Sequence, residues 1–141
     1  VQTIKTLQGQ FFLLSNFAPT PVSFEGVLFP TVEHAFQAQK THDNAERRRI
    51  ASLPKPGQAK HAGKRVKLRE DWEQVKVGIM KAILVAKFEQ NAAARDVLYR
   101  TGDARIEEGN LWNDTFWGVS LKTGKGKNTL GLLLEEIRNT L

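Results

Sequence analysis

Apolar residues recur at helical spacing in three stretches of the chain and alternate in one short region near its start. Trp72, Val75, Ile79 and Ile83, with Met80, Leu84 and Phe88 beside them, recur every three or four positions. That spacing predicts a long amphipathic helix at the centre of the core. Asp71 with Gln74 resembles a capping box that opens it. Leu130, Leu133, Leu134 and Ile137 predict a closing amphipathic helix from Asn128 to Asn139. In a third helix Val32, Phe36 and Gln39 share one side, and the Thr31 hydroxyl is placed to cap it after Pro30. Val22-Ser23-Phe24 and Val27-Leu28-Phe29 flank Glu25-Gly26, the pattern of a hairpin with a tight turn.

The remaining elements are shorter. Residues 3–29 read as strands and turns. Asn44 is expected to cap a basic helix running to Ser52. Leu53-Pro54-Lys55-Pro56-Gly57 is a break, and Gln58 to Val66 reads as helix again. Asn91 to Tyr99 is a further helix, ended by Thr101-Gly102-Asp103, and a polar, Trp-rich loop follows. The expected fold is mainly α, a single domain over residues 1–141 with a small β element near the N-terminus. Strands do not alternate with helices, which argues against a doubly wound parallel sheet.

A chain of 141 residues, 40% hydrophobic and 26% charged, can bury a core of its own. It has no cysteine, so disulfides and thiolate metal sites are excluded. It shows neither an apolar run long enough to span a bilayer nor the sections of a signal peptide. A cytoplasmic protein without membrane contact is expected. The net charge of +6 favours phosphate-bearing partners. Arg47-Arg48-Arg49 and Lys60, Lys64, Arg65, Lys67 and Arg69 sit mid-chain, in expected helices rather than a tail. They would suit nucleic acid, although no recognition motif makes that the main function.

Several chemistries find no motif. There is no P-loop, no Gly-x-Gly-x-x-Gly, no Gly-x-Ser-x-Gly and no cysteine nucleophile. His34, His42 and His61 lack metal-site spacing, so no metal or cofactor is expected. Carboxylates remain as acid–base groups, and Glu33, Glu108 and Asp114 are the candidates. Carboxylates commonly cleave glycosidic bonds by stabilising an oxocarbenium ion and activating water. Glu33, Gln37 and Lys40 fall at helical spacing; from the helix alone a solvated face is the favoured reading. Taken singly, Asp114 reads as a turn aspartate and Glu108 as a salt-bridge partner. Trp72 reads as core from its spacing, whereas Trp112 and Trp117, in a polar loop, could stack on a base. Gly124-Lys125-Gly126-Lys127-Asn128 precedes a helix, where glycines, lysines and a helix N-terminus favour phosphate.

The joint order of several motifs adds to this. Ser15-Asn16-Phe17, Thr31-Val32-Glu33-His34-Ala35-Phe36-Gln37-Ala38-Gln39-Lys40, Thr101-Gly102-Asp103, Glu108-Gly109-Asn110, Asp114-Thr115-Phe116-Trp117-Gly118 and Gly124 to Gly131 together resemble the NADAR, or YbiA-like, family from about residue 10 to the C-terminus. The resemblance implies a mainly helical fold and N-glycosidase activity on a ribose–nitrogen bond. It implies Glu33, Trp72 and Asp114 as catalytic residues, with Lys40, Glu108 and Asn128 lining the site. Asn16, Phe17, His34, Gln37, Trp117, Gly118, Lys125 and Lys127 are the further substrate-binding candidates. Some family members act on phosphorylated ribosylamino-pyrimidine intermediates of riboflavin synthesis. Others remove ADP-ribose from guanine in DNA. ADP-ribosyl-guanine, free or DNA-borne, is the first expected substrate, because a basic surface suits a diphosphate. A riboflavin intermediate is the second. A non-catalytic ADP-ribose-binding module is the rival of a different class.

Overall fold

The computed structural model describes residues 2–141, which are mainly helical. Two sets of elements each pack within themselves: Asn16–Ala92, and the segment ending at Ser15 with Ala93–Leu141.

In Asn16–Ala92, β1 and β2 of the hairpin are Val22–Phe24 and Val27–Phe29, paired antiparallel with Val22 opposite Phe29. Glu25 and Gly26 both take positive φ, 53° and 78°. That is the paired left-handed geometry of a two-residue hairpin turn, as the sequence predicts. Val22 and Phe29 point inward and are buried, while Leu28 is exposed. The chain then enters α1, Val32–Ala38, whose first turn is capped by Thr31 Oγ1 accepting from the His34 amide at 3.2 Å.

Every residue of α1 is buried, Glu33, His34 and Gln37 included. It packs against the hairpin and against α2 (Asn44–Ala51), α3 (Pro56–Gly63) and α4 (Trp72–Gln90). Three boundaries differ from expectation. Asp43, not Asn44, caps α2, because it stands in extended backbone just before the first helical residue, where Oδ1 accepts from the Ala45 and Glu46 amides. Helix α3 starts at Pro56, whose missing N–H costs nothing in a first turn, and ends at Gly63. Asp71 precedes α4 but does not cap it; its carboxylate is held by Arg69 at 2.7 and 3.1 Å. An ion pair offers that carboxylate more than a backbone amide does.

Helix α4 matches its apolar period, with Trp72, Met80, Ile83, Leu84 and Phe88 buried. Its buried set also contains Lys87, which is fully enclosed with Nζ 5.4 Å over the Phe88 ring. Burial pulls the Lys87 pKa down to about 7. A lysine of the unfolded chain titrates near 10.4, so between about pH 7 and 10 the unfolded state binds more protons. The Lys87 contribution to stability is therefore complete above that window and is lost as pH falls through it. Denaturant unfolding is expected to give a higher midpoint near pH 9 than near pH 7. Lys87→Met is expected to flatten that rise; equal slopes in both proteins would contradict it.

In the second set, β3 (Thr3–Ile4) pairs in parallel with β4 (Arg105–Ile106), and β5 (Gly109–Asn110) in parallel with β6 (Val119–Ser120). A 3-10 helix spans Gly9–Leu14, and α5 spans Ala92–Arg100. Asn91 ends α4 rather than starting α5. Strand pairs at 105–120 add β structure beyond the N-terminal element expected. Helix α6, Thr129–Arg138, buries Leu130, Leu133, Leu134 and Ile137 as its period predicts. It packs on β4, where Glu135 Oε2 accepts from the Ile106 amide at 2.9 Å. Among the described residues no helix is long and apolar enough to cross a membrane.

Candidate active site

Helix α1 holds the first cluster. Glu33 is 8% exposed, and its Oε2 accepts from Gln37 Nε2 at 2.6 Å. The four-residue spacing puts both groups on one side of the helix. The Glu33 amide donates to Asn16 O at 3.0 Å, so the Asn16 backbone fixes the start of this helix. The stripe is thus an enclosed cluster and not the solvated face favoured from the helix alone. The other end of the Gln37 amide, Oε1, is buried with no partner in the protein, as is Asn16 Oδ1. Buried acceptors without partners are uncommon, because each forfeits its hydration. Gly63 is required beside Gln37: a Cβ there would strike Gln37 Oε1.

Lys40 lies beyond, with Nζ 5.9 Å over the Trp72 ring. Burial lowers the Lys40 pKa; Glu33 opposes that shift, and Lys64, Lys60 and Lys76 add to it. Trp72 is 6% exposed and tilts against Phe36 with centroids 5.1 Å apart. It is the core residue its spacing indicates, and one face of it is covered by the Lys40 ammonium.

His34 was expected to touch substrate, but it is fully buried. Its Nε2 lies 2.8 Å from Leu53 O, an acceptor, so Nε2 carries the proton. Nδ1 then accepts from Thr31 Oγ1 at 2.8 Å. Burial lowers its pKa against the opposing hydrogen bond to Leu53. Both ring nitrogens are engaged inside the fold, and the side chain locks α1 to the loop after α2. Phe17 is 38% exposed.

The second cluster is built by residues 108–128. Asn110, 1% exposed, organises it. Its Oδ1 accepts from the Asp114 amide at 2.9 Å, and its Nδ2 donates to Asp114 O at 2.9 Å and Glu108 Oε2 at 3.0 Å. Asp114 Oδ1 in turn accepts from the Phe116 and Trp117 amides at 3.1 and 2.9 Å. Asp114 therefore shapes its own turn and stays half-exposed. Gly118 is buried where a Cβ would strike Glu108 and Asn110. Trp117 is half-buried, edge-on to Phe116 at 4.9 Å, and Trp112 is exposed.

The loop before α6 differs from its phosphate-cradle reading. The amides of Thr129 and Leu130 donate to Phe116 O and Trp117 O at 3.1 and 2.9 Å. The helix N-terminus is therefore closed by the protein's own carbonyls. Asn128 is buried in the left-handed region, φ 55°, and does not cap α6 with its side chain. Its Oδ1 accepts from the Glu108 amide at 3.0 Å and its Nδ2 donates to Ile106 O at 2.8 Å. Both ends of the Asn128 amide are engaged, so it braces this cluster. Lys125 and Lys127 remain exposed, Lys127 with Nζ 5.5 Å over the Phe116 ring.

Asn110 and Gly63 are the two site residues not singled out from sequence. Asn110 stood inside the Glu108-Gly109-Asn110 motif; nothing in the sequence pairs Gly63 with Gln37.

The mainly helical fold thus carries an enclosed glutamate, unpartnered amide oxygens and a lysine over an aromatic ring, groups suited to carboxylate and amide chemistry. The chain belongs to the NADAR domain family, whose profile matches residues 5–141. It is 45% identical over 129 residues to the N-glycosidase YbiA of Escherichia coli strain K12, covering 90% of this chain and 79% of that one. It is 38% identical over 136 residues to the N-glycosidase Npun_R5314 of Nostoc punctiforme, covering 90% and 86%. The riboflavin biosynthesis protein VVA0006 of Vibrio vulnificus matches at 32% identity over 130 residues, 91% of this chain and 35% of that one. The NMR structure of the E. coli protein YbiA aligns with a TM-score of 0.85 at 40% identity, over 99% of this chain and 86% of that one.

Proposed function

We propose that this chain is an N-glycosidase that hydrolyses the ribose–base bond of a phosphorylated substrate, with ADP-ribosylated guanine as the preferred one. The observation that carries the reading is the enclosed Glu33 carboxylate held by Gln37, whose own amide oxygen is buried without a partner. A ribose supplies hydroxyl donors for such oxygens, and its anomeric carbon develops the positive charge a carboxylate stabilises. Relatives at 45% and 38% identity that bear the name N-glycosidase support it. In this reaction the oxygen of a water bonds to the anomeric carbon as the carbon–nitrogen bond breaks. The base leaves with the bonding electrons, and Glu33 takes the proton of the water. Lys40, beside Glu33, offers a cation for phosphate.

The net charge of +6 supports a diphosphate substrate. A phosphorylated ribosylamino-pyrimidine is the second reading, favoured by relatives named for riboflavin biosynthesis. Turnover of ADP-ribosyl-guanosine and of the pyrimidine, followed by chromatography of the released guanosine or pyrimidine, separates the two. The proposal expects a higher kcat/KM on ADP-ribosyl-guanosine; a higher value on the pyrimidine overturns the ranking.

Gly63→Ala tests the cluster without touching a reacting group. The new methyl displaces Gln37 from Glu33, and misplacing a catalytic group by about 1 Å can cost roughly 10²-fold. Turnover is expected to fall on that order. Gly78→Ala, in open space on α4, is expected to leave it unchanged. Equal turnover in both variants would contradict the role given to Gln37.

A further inference from the structure

Positive charge is segregated in this chain. Residues 47–69 hold nine of the 21 lysines and arginines and no aspartate or glutamate, so outside that segment acids outnumber bases. The segment folds as the end of α2, all of α3 and the stretch that follows. Arg48, Arg49, Lys55, Lys64, Arg65 and Lys67 are exposed. Arg49 is paired with Glu46 at 2.8 Å, and Arg69 with Asp71. Among the described residues, Arg48, Lys55, Lys64, Arg65 and Lys67 have no acidic partner within 4.0 Å.

The face is concave. A cleft of about 560 Å³ opens between α2 and α3, lined by Arg49, His61, Arg65 and Gln58 over Leu53 and Ala62. Nothing acidic lines it. A second cleft of about 520 Å³ also uses Arg65, but Asp43, Glu46 and Glu70 line it too, so it is a poorer seat for an anion. From the first cleft Lys60 and Lys64 carry the positive field on to the Lys40 ammonium, whose pKa registers both. Lys40 adjoins Glu33.

We propose that the α2–α3 face binds the phosphodiester backbone of a nucleic-acid strand, with the Arg49–His61–Arg65 cleft as its central seat. A run of cations uninterrupted by acids, wider than any single phosphate, matches a polymer of repeating charge better than a lone anion. Guanidinium groups on both walls suit phosphate oxygens, and the apolar floor accepts the sugar. Such contacts position a strand without reading its bases. The proposal stands on this face alone, so its test uses unmodified strands and needs no turnover.

Fluorescence anisotropy with a labelled, unmodified DNA strand of mixed sequence tests it, run at several salt concentrations beside a duplex and an RNA of the same length. Affinity is expected to fall steeply with salt, each neutralised phosphate contributing about 0.7–0.9 to the logarithmic slope. Arg49→Gln with Arg65→Gln is expected to weaken binding by roughly tenfold and to lower the slope by about 1.5. Arg49→Lys with Arg65→Lys is expected to recover most of the affinity. Lys5→Gln with Lys122→Gln, which changes net charge equally, is expected to leave binding unchanged. Equal loss in both Gln pairs would overturn the placement. Competition by polyglutamate or by phosphatidylserine–phosphatidylcholine vesicles as strong as that by DNA would overturn the choice of partner.

Discussion

Glu33→Gln is expected to keep substrate affinity and the folded structure while losing turnover by about 10²–10⁴-fold, the usual contribution of a positioned acid–base group. Glutamine has nearly the same shape and its amide oxygen still accepts from Gln37 Nε2, so the enclosed cluster has a reason to persist. What it lacks is the negative charge. Without it the developing oxocarbenium is not stabilised and the attacking water has no base. A split between kcat and KM is the informative readout. A drop confined to kcat identifies a group acting in the transition state, whereas a rise in KM alone would make Glu33 a binding residue. Near-normal kcat on a cleaved substrate would remove Glu33 from the chemistry.

The second large effect is structural. Asn128→Ala is expected to destabilise the fold by about 2–5 kcal/mol, because the Glu108 amide and Ile106 carbonyl each lose a partner next to a buried side chain. Part of that cost comes from holding alanine in the left-handed region that Asn128 occupies. Asn128→Gly relieves the backbone term but not the lost hydrogen bonds, so it should recover only part of the loss. Thermal unfolding of the three proteins checks this order. Equal midpoints for wild type and Asn128→Ala would show that the brace carries no load, and would return Asn128 to the list of substrate contacts.

Local rules made much of the fold legible. Glu25-Gly26 between alternating strands, Thr31 after Pro30, and the apolar periods of Trp72–Phe88 and Leu130–Ile137 each state a backbone preference within a few residues. The elements that escaped them depend on distant partners. The parallel pairs Thr3–Ile4 with Arg105–Ile106, and Gly109–Asn110 with Val119–Ser120, are two residues long and leave no period to detect. Asp71 looked like a cap because the competing Arg69 lies outside the helical pattern.

The site was legible as a set of residues and less so as an arrangement. Glu33, Gln37 and Lys40 share a helix face by spacing, but polarity alone reads such a face as solvated. The enclosure comes from α2, α3 and α4 around α1, which no α1 residue encodes. His34 and Asn128 were drawn into the substrate list because polar residues in motifs resemble ligand contacts. Only their hydrogen bonds separate a lock from a contact. Gly63 shows the reverse case, a residue without a functional group that sets where one lies.

The account stands most directly on which bond breaks. Mass spectrometry of the products formed by the wild-type protein from ADP-ribosyl-guanosine measures it. Free ADP-ribose and guanosine in equal amounts, with the pyrophosphate intact, is the predicted result. Release of AMP, which places cleavage at the pyrophosphate, or a substrate bound yet left whole, would contradict it.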